Sequence, residues 1–249
     1  MTQQQAQAAV PEQRLDTDPT WLLRARGCWE VAAALLADTP PDALTRAELL
    51  TEAAFFRGTG WIEAENALRQ AEAVAGSPEQ RASAACTRGF LAYASTVQQV
   101  HDRLDEAQAA LGRASALLPP EAPLRPLLDF RRGLIAQLLL GDPVSARAAY
   151  RRAHAGAEQQ QDLLLLSYTW RHLASIAQQD GNLAGARHGF AESLRLREET
   201  GFTVGIAPAL TALADVSPAP EAAQLRAEAA RLVRALGGLP FWLDVSSTG

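Results

Sequence analysis

A chain of 249 residues with 48% hydrophobic and 20% charged side chains has the composition of a globular protein, with room for one large core or two small ones. The net charge of −5 argues against a nucleic-acid binder held by an overall basic face, because counterion release needs clustered cations. Alanine and leucine dominate, aromatics make up only 6%, and no stretch alternates Val, Ile and Thr, so the composition predicts an all-α fold.

Residues 1–18 are rich in Gln and Asp and too polar to join a core, which predicts a disordered N-terminal tail. A first helix is predicted from Trp21 to Ala37, where Trp21, Leu22, Cys28, Val31, Ala32, Leu35 and Leu36 keep helical spacing until Thr39-Pro40-Pro41 interrupts it. Helices over Asp42–Arg57 and Trp61–Ala75 follow, turned by Gly58-Thr59-Gly60. Ser77 as a cap and Pro78 at the first helical position open a helix to about His101, and Leu104–Leu118 returns as far as Pro119-Pro120. Pro123 and Pro126 open a helix to Leu140, Gly141-Asp142-Pro143 turns the chain, and Val144–Gln159 comes back.

The clearest pair runs from Leu163 to Leu196. Trp170, Leu173, Ala174 and Ala177 form one apolar stripe, and Ala186, Phe190, Ser193 and Leu194 form a second after the turn Asp180-Gly181-Asn182. Phe202–Asp215 then repeats the first-helix pattern, and Glu221–Leu236 makes a last helix. Residues 239–249 form a C-terminal tail in which Phe241 and Trp242 are expected to fold back as a cap.

An internal repeat emerges when the second helices are aligned on a small residue. Ala64, Ala107, Ala146 and Ala186 are spaced by 43, 39 and 40 residues. Four positions later each is followed by a bulky residue, Leu68, Leu111, Tyr150 or Phe190, and three later again by Ala71, Ala114, Ala153 or Ser193. Small against large at fixed helical spacing is what close helix packing requires, and no single hairpin could bury its stripe alone.

Trp170, Leu173, Ala174, Gly181, Ala186, Phe190 and Ser193 match the pattern of the tetratricopeptide repeat family, which the chain resembles over roughly residues 45–237. The unit around Gly141 departs from it, with Phe130 at the Trp position and Gly133-Leu134 in reversed order. The period is longer than that family's usual ~34 residues and is similar to the long repeats of bacterial regulators. This chain carries no phosphate-binding G-x-x-x-x-G-K-[ST] run, and all 23 of its cationic residues are arginine, a bias that fits a GC-rich coding sequence. The resemblance implies a right-handed α-solenoid of antiparallel helix hairpins over residues 19–238, with first helices lining the concave face.

Candidate sites follow from that arrangement. Arg131 and Arg171, one residue after Phe130 and Trp170, are expected to point into the groove and converge on one anionic group of a partner, and family members that clamp a peptide carboxylate use basic residues at this position. Tyr168, Ser175 and Gln178 project to the same side, with Thr211 and Asp215 on the next first helix, and His172 would join Tyr168 and Arg171 in a small-molecule pocket. The four histidines have no metal-ligand spacing, no cofactor motif is present, and no nucleophile elbow marks a catalytic centre. Cys28 and Cys86 read as core residues of a reduced compartment, and the absence of a signal-like N-terminus or apolar span predicts a cytoplasmic protein. The leading expectation is a non-enzymatic scaffold or regulator binding a protein or peptide with an acidic group, without direct contact to nucleic acid or membrane. A small-molecule receptor or enzyme with a pocket inside the solenoid is the alternative, and a subunit of a homo-oligomer is a third reading.

Overall fold

The computed structural model describes residues 18–243, and these form an all-α fold. The expected N-terminal tail lies outside the described residues except for Asp18, which caps the first helix by accepting from Thr20 N at 2.9 Å. The last six residues of the C-terminal tail lie outside them as well.

One predicted element is two. The expected helix over Trp21–Ala37 breaks into α1 (Pro19–Ala25) and α2 (Trp29–Ala34) at Gly27, whose φ of +80° ends α1 in a conformation that side chains resist. The break lets Trp29 turn inward until it is fully buried, with its ring 5.3 Å from Phe56. Burying an indole outweighs continuing one surface helix.

Five helical hairpins follow: α3 (Pro40–Arg57) with α4 (Trp61–Val74), α5 (Pro78–Val97) with α6 (Leu104–Leu117), α7 (Arg125–Leu138) with α8 (Pro143–Gln160), α9 (Leu163–Gln179) with α10 (Leu183–Glu199), and α11 (Thr203–Ala214) with α12 (Ala219–Ala235). Each start is written locally. Ser77 and Gln80 form a reciprocal capping box, Asp142 accepts from Val144 N and Ser145 N, Asp162 from Leu165 N, and Asn182 from Gly185 N. Gly181, at φ +78°, makes the turn between α9 and α10.

The repeat register holds throughout. All four anchoring alanines are completely buried, and Leu68, Leu111, Tyr150 and Phe190 are each at most 3% exposed. The facing first-helix residue is small: Gly89 lies under Leu111 and Gly133 under Tyr150, each so close that an added Cβ would sit 2.4 Å from the partner side chain. Ala174 shares a buried cluster with Phe190 in the same way. Successive hairpins pack on one another, with α3, α5 and α7 side by side.

The chain then closes on itself. Helix α1 packs against α11, Trp21 stacks on the fully buried Phe202 at 6.0 Å, and its indole donates to Thr200 O at 3.3 Å. At the other end Phe241 N donates to Phe56 O at 3.1 Å, and the Trp242 ring lies 4.9 Å from Phe55 and 5.3 Å from Phe56. The folded-back cap expected at Phe241 and Trp242 is therefore where the sequence suggested.

Candidate ligand cavity

First helices α3, α5, α7 and α9 face a common concavity, which α1, the end of α10 and the Phe241-Trp242 segment turn into a cavity of about 780 Å³. Its wall is mainly aromatic and aliphatic. Trp21, Phe55, Phe90, Tyr93, Phe130 and Tyr168 contribute rings, and Leu127, Leu134 and Leu164 fill between them. Phe130 and Tyr168 stack at 5.7 Å and an interplanar angle of 17°.

Seven charged groups line this wall: Asp162, which caps α9 by accepting from Leu165 N at 2.9 Å, and six more of two kinds. Arg24 Nε lies 2.6 Å from Glu52 Oε2, and Arg131 Nη2 lies 2.8 Å from Glu48 Oε1, so these are ion pairs. Arg131 also donates from Nη1 to Cys86 Sγ at 3.2 Å and lies over the Phe90 ring at 5.0 Å. Burial pushes the Cys86 thiol up, which keeps it in the uncharged form despite Arg131. Arg171 and Arg197 differ: among the described residues neither has a carboxylate within salt-bridge distance. Arg197, 3% exposed, sits 5.3 Å over the Tyr168 ring, donates from Nη1 to Gly205 O at 2.6 Å, and has no acceptor for Nε.

Burial, and beyond it the Arg171 charge, holds the Arg197 guanidinium down to about 10, and burial lowers Arg171 as well. His172 is driven well below its ordinary 6.5 by burial and then by the Arg171 and Arg197 charges, so its ring is neutral at neutral pH. The Gln137 amide oxygen accepts from Tyr150 Oη at 2.9 Å and lies 2.9 Å from His172 Nδ1, which assigns the ring proton to Nδ1.

That neutral histidine has a consequence for stability. An unfolded imidazole takes up a proton near 6.5 whereas the buried ring resists it, so the unfolded state binds more protons as the pH falls through 6.5. Stability is complete above that value and declines below it. The wild-type thermal midpoint should therefore fall more between about pH 7 and about pH 5 than that of His172→Gln. His154, also lowered by burial, leaves a residual slope in the variant. Parallel slopes would show that His172 is solvated.

Of the sequence-predicted site residues, Arg131, Tyr168, Arg171 and His172 line the cavity. Ser175, Gln178, Thr211 and Asp215 do not: Ser175 receives a 3.4 Å contact from Gln137 Nε2, Thr211 donates to its own helix at Ala207 O, and Asp215 pairs with Arg226 at 2.9 Å. The expected convergence of Arg131 and Arg171 fails on register. Counted from the small residue under each second helix, Arg131 stands level with His172, two residues before Gly133 and Ala174, and Glu48 already holds its guanidinium. Arg171 lies instead close enough to Arg197 for their like charges to interact, and Arg197 is not among the sequence-predicted site residues. A signal was available, because Phe190, Ser193 and Arg197 continue one buried stripe of α10, and an arginine on such a stripe demands an explanation.

Fold and site together define an all-α protein of stacked helical hairpins that line an aromatic, arginine-bearing cavity. Among solved structures the chain is similar to the crystal structure of BtubC (BKLC) from P. vanneervenii, at 14% sequence identity and a TM-score of 0.57, covering 91% of this chain and 94% of that chain. At that identity the likeness concerns the fold alone. No protein-family model matches the chain, and no curated protein matches it.

Among the described residues no helix is long and apolar enough to cross a membrane, and no group of three or more His, Cys, Asp and Glu side chains is placed to hold a metal ion.

Proposed function

We propose that the chain is a non-enzymatic binding protein of the tetratricopeptide type whose binding site is the concave cavity, and that its ligand is a small, mostly apolar molecule. The narrowing of the concavity by α1 and the C-terminal segment carries this reading. A peptide laid along the first helices needs a groove running the length of the stack, whereas α1 and the Phe241-Trp242 segment confine the space to about 780 Å³. Pockets of roughly 300–1,000 Å³ with apolar walls and a few converging polar groups are the usual form of small-molecule sites. Each cavity carboxylate already has a structural partner, Glu48 and Glu52 an arginine and Asp162 the backbone N–H of Leu165, which supports binding over acid–base chemistry.

Calorimetric titration with decanol, an uncharged apolar probe, tests the reading. One-to-one saturable binding is expected. Leu164, a partly exposed residue of the cavity wall, can be enlarged into the space, so Leu164→Trp should weaken decanol by roughly tenfold or more while keeping the wild-type thermal midpoint. Equal affinity in the two proteins would place the probe elsewhere and defeat the proposal.

A further inference from the structure

We infer that Arg171 and Arg197 form an anion subsite in the cavity, and that the ligand is a monoanion: a carboxylate on an aliphatic or aromatic body. The inference rests on the cavity being the ligand site and adds what the ligand must carry.

The charges that face the cavity do not balance. Four arginines line it, Arg24, Arg131, Arg171 and Arg197, against three carboxylates: Glu48 and Glu52 are used by Arg131 and Arg24, and Asp162 caps α9 at Leu165 N and lies within salt-bridge distance of neither remaining arginine. Two guanidinium groups remain, one of them on a side chain 97% removed from solvent with an Nε–H that meets no acceptor. A buried charge without a counterion is costly, and a buried donor without an acceptor adds to that cost. Three protein groups adjoin the pair, and none supplies the missing charge. His172 adjoins both arginines but is neutral, Tyr168 offers Arg197 only its ring face, and Gly205 O satisfies one of the Arg197 donors. The Arg171 side chain makes no hydrogen bond within the described residues, and Asp215, whose charge reaches it, is already paired with Arg226.

The same surroundings restrict the anion. Guanidinium forks match the planar oxygens of a carboxylate, which has lone pairs enough for both arginines. Glu48, Glu52 and Asp162 line the same cavity, so a second negative charge on the ligand would meet repulsion. The rest of the wall is aromatic and aliphatic, which suits an apolar body behind a single charged head.

The experiment compares decanoate with decanol, which share a chain and differ in the head group, on the wild type and on Arg171→Gln. Decanoate should bind the wild type roughly tenfold or more tightly than decanol, the range of a charge-assisted hydrogen bond, and Arg171→Gln should erase that preference, so that the variant binds the two probes equally. Arg197→Met is the second variant and should erase the preference in the same way; Arg171→Gln alone decides the matter if Arg197→Met does not fold. Equal affinity of the two probes for the wild type overturns the anion subsite and leaves the cavity reading standing. Failure of both probes to bind overturns the cavity reading and the subsite with it. A preference that survives Arg171→Gln also overturns the assignment.

Discussion

Phe190→Ala should lower the stability of the protein by about 3–5 kcal/mol, the cost of removing a buried aromatic ring and leaving its cavity behind. Phe190 is 3% exposed and packs with Ala174, Ala186, Ala212 and Leu213, so it joins α9, α10 and α11. Its neighbours on the adjoining helices include two alanines that cannot extend into the void. Chemical denaturation provides the check. The midpoint should fall in proportion with an unchanged slope, whereas a wild-type midpoint would mean that the small-against-large register misplaces Phe190.

A second large effect separates the paired arginines from the unpaired ones. Glu52→Ala removes the carboxylate 2.6 Å from Arg24 and leaves that guanidinium in the cavity wall. Breaking a fully buried pair costs about 3–5 kcal/mol; because the Arg24 side chain is 28% exposed, about 2–3 kcal/mol is expected here. Arg171→Met should act in the opposite sense. It removes a charge that has no counterion, so the ligand-free protein should melt at the wild-type temperature or above it. A marked loss of stability in Arg171→Met would mean that Arg171 has a structural partner, and Glu52→Ala at wild-type stability would mean that Arg24 reaches solvent freely.

These two predictions draw on different levels of the sequence. The packing register was legible because it is local and periodic: Ala64, Ala107, Ala146 and Ala186 recur at nearly constant spacing, and helices of this kind bury only one stripe. The hairpin turns were legible because Ser77, Asp142, Asn182 and Gly181 do their work within three residues of themselves. The first helix was misread because its periodicity runs on through Gly27, and the reason to break there is Phe56, some thirty residues away. The charge pattern of the cavity is less local still. Glu48 meets Arg131 across 83 residues, and the equivalence of Arg131 with Arg171 holds only when the first helices are aligned on Phe130 and Trp170, not on Gly133, the residue that lies under Tyr150. Arg24 was overlooked for lack of any repeat to place it in, although Trp21 beside it on α1 reaches across to Phe202 and closes the concavity.

The central claim is that the concavity is a ligand site whose anchor is the Arg171–Arg197 pair. A crystal structure of the protein with decanoate tests it most directly. The account predicts the carboxylate within hydrogen-bond reach of both guanidiniums, with the chain extending along Phe130 and Phe90. Decanoate bound only on the outer faces of the hairpins, with Arg171 and Arg197 positioned as in the ligand-free protein, would contradict it.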